Sequence, residues 1–173
     1  MCTNPEIIKI VYQYGSDILD SPKFDREKEF IQHGNTTTHH HSLAVAYVSV
    51  YLALKKEEKS KKKIDMRSLV RGALLHDYFL YDWHDKSENH SVHGYTHARQ
   101  SLKNAKRDFP INKTEADIIF CHMFPLNITR FPRTREGRIV CIADKLCAGA
   151  ETASLAHFVN YEYRLITLRN NAY

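Results

Sequence analysis

The string RGALLHDYFLYD, residues 71–82, constrains this chain more than any other stretch. An apolar helical run over residues 69–75 ends in the adjacent pair His76-Asp77. A His and an Asp at the end of a buried helix can both bind one divalent metal ion. The imidazole supplies a nitrogen, and the carboxylate supplies an oxygen that can also bridge to a second ion. The dipeptide alone arises by chance in many chains. Its weight here comes from further candidate ligands on other predicted helices: His41 upstream, and His97, His122 and Asp144 downstream.

Helical patterns dominate the chain, and no convincing strand series is present. Pro5 suits the first turn of a helix running to about Leu19, and Ser21-Pro22 reads as a break and restart. Phe24, Phe30 and Ile31 predict a short second helix, ended by His33-Gly34-Asn35. Thr36 to Thr38 offer hydroxyls for an N-cap. The helix that follows, from about His39 to Lys55, is apolar nearly all round and belongs at the centre of a bundle. Asp65 is placed to cap the helix that ends in His76-Asp77. Residues 78–96 form an irregular segment rich in aromatics and histidine, and loops of that length are often functional. Gly94 and a Thr96 cap predict a helix starting at His97 and ending near Asp108. Thr114 and Asp117 are spaced like a capping box for a helix reaching Cys121-His122. Pro125 and Pro132 bracket an extended connection. The last helical stretch starts near Thr134, with a bend near Gly149 before residues 155–168. There is no internal repeat or linker. The expectation is an all-α bundle of about six to eight helices in one domain over residues 1–173.

Bulk properties narrow the functional classes. Hydrophobic residues make up 43% of the 173 and charged residues 26%, enough for a real core. The formal net charge of +5 suits an anionic substrate. Much of the excess lies between Lys55 and Lys63, beside Glu57 and Glu58 and without aromatics, so it reads as a solvated helix end. A specific nucleic-acid surface is not expected. No run approaches the roughly 18 apolar residues of a membrane span. The N-terminal residues lack a secretory pattern, and the four cysteines form no CxxC pair. Reduced thiols in a cytoplasmic protein are the expectation, and a homo-oligomer is compatible with the sequence.

Asp144 interrupts the apolar string IVCIADKLCA. An unpaired buried carboxylate is costly, so it must be ion-paired, protonated or metal-bound. A buried salt bridge or helix cap would also satisfy it. His41 and His97 each open an apolar helix, and His122 ends one, where it could simply complement the dipole. His41 is in phase with Ala44, Val45, Val48 and Leu52, which leaves His39 and His40 as the exposed neighbours. His93 and His97 have the i, i+4 spacing of paired zinc ligands, but Gly94 argues against one continuous helix across them. One shared site explains these residues more economically than five unrelated accidents.

In the order His41 (HHHSLAVA), His76-Asp77 (GALLHDYFLYD) and Asp144 (IADK), the chain resembles the HD-domain superfamily of metal-dependent phosphohydrolases over about residues 36–151. His97 and His122 fall where the two-metal subgroup places two further histidines. The chain looks most like the small, stand-alone bacterial HD hydrolases. It lacks the HDxGK string and GYP loop of the cyclic-dinucleotide phosphodiesterases, and the acidic pair of the guanosine-tetraphosphate hydrolases.

The resemblance implies a first ion held by His41, His76, Asp77 and Asp144. Asp77 would bridge to a second ion held also by His97 and His122. Such mixed nitrogen and oxygen ligation suits iron, manganese, zinc, cobalt or nickel, as one ion or two. The implied reaction is attack by a metal-activated water on a phosphate ester of a nucleotide or other small phosphorylated metabolite. Asp77 and Lys145 would act at the reacting phosphate, with His93 and Arg133 as substrate contacts. A catalytically silent nucleotide-binding or sensor protein is the alternative reading.

Overall fold

Asn4 caps the first helix with its side chain, accepting from the Glu6 N–H, and Pro5 fills the first helical position. This computed structural model describes residues 4–82 and 93–153, and the side chains of residues 93–95 lie outside that description. In chain order the helices are α1 (Pro5–Leu19), α2 (Pro22–Asp25), α3 (Thr38–Ser60), α4 (Met66–Leu75), α5 (His93–Asp108), α6 (Lys113–Cys121) and α7 (Arg135–Thr152). The fold is all-α, as the periodicity implies. Helix α3 packs on α1, α4 and α7, while α6 bridges α4, α5 and α7. Thr37 caps α3 and Asp65 caps α4, as expected.

The segment after α2 departs from the expected second helix. A single 3-10 turn, Arg26–Glu29, leads into a hairpin of β1 (Ile31–His33) and β2 (Thr36–Thr37). Strands of three and two residues are too short to display a two-residue period. Gly34, at φ +55°, adopts the left-handed backbone that turns the chain between them. The hairpin contacts α3, and β1 also reaches α7.

Two predicted helix starts shift. Helix α5 begins at His93 and runs through Gly94, so Thr96 is not its cap. A glycine in a helix costs only about 1 kcal/mol relative to alanine, which tertiary packing readily outweighs. The capping box of α6 is Asn112 with Glu115, not Thr114 with Asp117. Asp117 instead accepts from the Arg133 and Thr134 N–H groups and the Thr134 hydroxyl, and so ties down the chain entering α7. His39, expected to be exposed, is buried with its ring 5.0 Å from that of Phe24. The aromatic-rich stretch 83–92, the helix expected over 155–168 and Cys2 lie outside the described residues.

Helices α1, α4 and α6 share an ionic knot, buried at Arg71 and Glu115 and exposed at Asp17. The Arg71 guanidinium donates to Glu115 at 2.9 Å, to Asp17 and to the Pro110 carbonyl at 3.2 Å. Helices α4 and α6 also approach closely at Gly72, where an added Cβ would lie 2.5 Å from Ile118 Cδ1. Neither backbone can retreat without loosening this knot. Gly72→Ala is therefore expected to cost about 1–3 kcal/mol through overpacking, read as a lower urea midpoint. An unchanged midpoint would show that α4 and α6 do not meet closely at this position.

Candidate metal centre

The two HD residues sit just past the last residue of α4. His76 keeps helical dihedrals, and Leu80, at φ +59°, diverts the chain three residues beyond Asp77. Helix α5 fixes this turn, because Asn104 donates to the Tyr78 carbonyl at 3.0 Å and the Phe79 carbonyl at 2.8 Å. Two turns earlier on the same face, α5 brings His97 to Asp77. His122 occupies the end of α6. Helix α7 secures that end, as the Cys141 thiol and Lys145 ammonium both donate to the His122 carbonyl. Helix α3 supplies His41 from its first turn, and α7 supplies Asp144.

All six residues are buried, and they assemble as two groups. In the first, His41, His76 and Asp144 bring their ligand atoms within 4.8 Å of one another; in the second, Asp77, His97 and His122 do the same. Asp77 joins the two groups. Its Oδ2 lies 3.4 Å from His76 Nε2 and 3.8 Å from His41 Nε2, while Oδ1 lies 3.3 Å from Nε2 of both His97 and His122. Asp144 Oδ1 is 3.2 Å from His41 Nε2 and 3.8 Å from His76 Nε2. Donor atoms bound at 2.0–2.2 Å around one ion would stand about 3.0–3.5 Å apart, close to these separations.

The protonation pattern fits a cation at the centre. The Nδ1 atoms of His76 and His122 lie 2.7 and 2.8 Å from the carbonyls of Ala73 and Ile119. A carbonyl only accepts, so each Nδ1 carries a hydrogen, and each ring is held with its Nε2 turned inward. Nε2 of His76 and Oδ1 of Asp77 are buried without a hydrogen-bond partner. Nε2 of His97 and Nε2 of His122 approach to 2.9 Å. Four imidazole nitrogens and two carboxylates converging in a buried pocket are a donor set that suits divalent transition metals. The residues present therefore fit the metal.

The electrostatics follow from this crowding. Burial works against the charged form of His41, but the Asp144 and Glu151 carboxylates outweigh it and hold its pKa up at about 10. His76 is raised in the same way, chiefly by Asp77 acting against burial. Burial would raise the Asp77 and Asp144 carboxyls. The imidazoles around them win, and both stay below the ordinary carboxylate range.

Several further neighbours of the centre carried no recognisable sequence signal. Gln32 on β1 donates to Asp77 Oδ2 at 2.5 Å. Glu151, one helical turn beyond Cys147, accepts from His41. Glu27 lies fully buried on the 3-10 turn, and burial raises its carboxyl well above the usual range. His33 packs its ring edge-on to His41, 5.2 Å away. The first three are short polar interruptions of otherwise ordinary strings, and only chain folding places them beside the centre.

Of the other expected site residues, Lys145 is at the centre, 3.3 Å from Asp144 Oδ2, with its Nζ donating to the His122 carbonyl at 2.8 Å. Arg133 is exposed and lines a surface groove of about 650 Å³ with Lys113, Phe120, Arg130 and Phe131, which none of the six cluster residues lines. The His93 side chain lies outside the described residues. The three cysteines within the described residues are free and buried.

A family model for the HD domain matches residues 38–149, well over half of the chain, so this protein belongs to the HD-domain family. Members of that family are generally metal-dependent hydrolases that bind divalent ions. No curated protein and no solved structure matches the chain. Among the described residues, no helix is long and apolar enough to cross a membrane.

For the metal-free protein these shifts set a pH dependence. Asp77 and Asp144, depressed on folding, contribute stability that is complete above their ordinary value of 3.8 and lost as pH falls below it. His41, raised on folding, contributes stability complete below 6.5 and lost as pH rises toward about 10. His76 shifts upward from 6.5 and acts in the same direction, and Glu27, raised from 4.5, loses its contribution as pH rises above that value. The melting temperature of metal-free protein should therefore decline from pH 6.5 toward pH 10 and fall again below about pH 4. A melting temperature that rises between pH 6.5 and 9 would contradict the charge balance of this cluster.

Proposed function

We propose that this protein is a metal-dependent phosphohydrolase. It cleaves a phosphate ester of a nucleotide or other small phosphorylated metabolite. The observation that carries the reading is Asp77, whose two oxygens face two different sets of imidazoles. His41, His76, Asp144 and Asp77 Oδ2 would hold one ion, and His97, His122 and Asp77 Oδ1 a second. Iron, manganese, zinc, cobalt and nickel all suit this donor set. When bound, such ions acidify a water and neutralise the charge of a phosphate.

The chain's own groups support that chemistry. The Ala73 and Ile119 carbonyls hold the rings of His76 and His122, so these ligands lose little freedom on binding. Gln32 holds one oxygen of Asp77, which keeps the carboxylate plane turned so that each oxygen serves its own set. Lys145 places a positive charge against Asp144, where it also favours an incoming phosphate. Phe79 lies edge-on to His97 with centroids 6.0 Å apart and helps to exclude water from that side of the pocket. The net charge of +5 favours the approach of an anion. His93 belongs to the proposal as a substrate contact, whereas Arg133 lies apart from the cluster in its own groove. A single HD domain acting in the cytoplasm is part of the same reading.

The test is metal content and turnover on the same samples. Protein reconstituted with Mn²⁺ or Fe²⁺ is expected to bind close to two equivalents and to release phosphate or alcohol from a panel of nucleotides and aryl phosphates. Asp77→Asn should lower turnover at least a thousandfold and metal content by one equivalent or more, while far-UV circular dichroism stays unchanged. Full metal loading without hydrolysis of any phosphate ester would favour the silent nucleotide-binding alternative. Full turnover by Asp77→Asn would refute the site.

A further inference from the structure

One helix grips His41 from both sides. Asp144 Oδ1 lies 3.2 Å from its Nε2, and Glu151 Oε2 lies 2.9 Å from its Nδ1. Asp144 and Glu151 stand seven residues apart, two turns along one face of α7. Both carboxylates and the imidazole are buried. The six-residue centre makes no use of Glu151, although burying a carboxylate there is costly unless it is paired.

We propose that Glu151 is a positioning residue. It accepts the Nδ1–H of His41 and thereby turns the Nε2 lone pair toward Asp144 and Asp77, where an ion would be held. The proposal rests on the metal-centre reading above.

The reason His41 needs a distant carboxylate lies in its place on its helix. His76 and His122 stand at helix C-termini, where the last carbonyls have no intrahelical donor. Each takes such a carbonyl from three residues earlier, Ala73 and Ile119. His41 stands in the first turn of α3, where the preceding carbonyls already accept helical N–H groups. Those carbonyls point along the helix axis to their own N–H donors, and the Nδ1 partner comes instead from another element, the Glu151 carboxylate. A carboxylate in that role also makes the imidazole a stronger ligand than a carbonyl does.

His33 offers a competing arrangement, because its ligand atom, one from His41 and one from Glu151 also lie within 4.8 Å of one another. An ion there would bind Nδ1 of His41 while another binds Nε2, which strips the ring of both hydrogens. A carboxylate hydrogen-bonded to Nδ1, with only Nε2 facing an ion, avoids that cost.

The experiment compares wild type with Glu151→Gln, Glu151→Ala and His33→Ala. In ¹⁵N-histidine spectra of metal-free wild type, His41 should show a slowly exchanging Nδ1–H. The resonance should persist in Glu151→Gln and vanish in Glu151→Ala. By calorimetry with Zn²⁺, Glu151→Ala should weaken binding about 10–100-fold, Glu151→Gln should restore most of it, and His33→Ala should match wild type. Loss of one equivalent in both His33→Ala and Glu151→Gln would overturn the proposal in favour of an ion at Nδ1. A wild-type His41 without the Nδ1–H would overturn it as well. If wild type took up no ion at all, the metal-centre reading would fail, while the nitrogen-bound proton of wild type still decides the Glu151 contact. Should Glu151→Ala fail to fold, the wild-type and Glu151→Gln spectra carry the same decision.

Discussion

Two buried carboxylates organise this molecule. Asp77 and Asp144 are almost fully buried, and neither could persist there without positive charge or hydrogen-bond donors around it. Imidazoles from four helices supply that compensation, and each helix must arrive at a fixed position to do so. The apolar core packs the helices together, but it is indifferent to small rotations of one helix about its axis. The carboxylate cluster is not indifferent, because a turn of even one residue removes a ligand from the centre.

Helix ends do most of the positioning. His76 and His122 leave α4 and α6 at their C-termini, where unsatisfied carbonyls orient their rings. His41 enters at the start of α3, directly after the Thr37 cap. Helix α7 differs, since it passes through the site and contributes along its length. It supplies Cys141 and Lys145 to the end of α6, Asp144 to the centre and Glu151 to the back of His41. The hairpin adds Gln32 against Asp77 and His33 against His41. Ring orientation and helix termination are thus solved by the same atoms, with carbonyls that would otherwise be orphaned holding the imidazoles of His76 and His122.

Much of this was legible beforehand. Helices α1, α3, α4 and α7 follow from apolar periodicity and from recognisable caps at Thr37, Asp65 and Thr134. The six cluster residues stood out because each places an ionisable group at the end, or in the middle, of an apolar run. The hairpin did not stand out, because its strands are shorter than any detectable period. Helix α5 starts four residues earlier than Gly94 and Thr96 suggested, since packing overrides a single weak helix former. Helical phase alone points His39 to solvent, whereas Phe24, from a separate element, packs against its ring.

The sequence by itself determined the helical class, the position of the His-Asp pair at a helix end and the membership of the HD-domain family. Those properties depend on local order along the chain: residue spacing, caps and the match of one string to a family pattern. Tertiary structure decided which atom faces which. It set Oδ1 and Oδ2 of Asp77 toward different imidazoles, brought Glu151 to Nδ1 of His41 across 110 positions and Gln32 to Asp77 across 45, and left Arg133 in a separate groove. Contacts over such separations come from how helices pack, and packing is a property of all the helices together rather than of any one string.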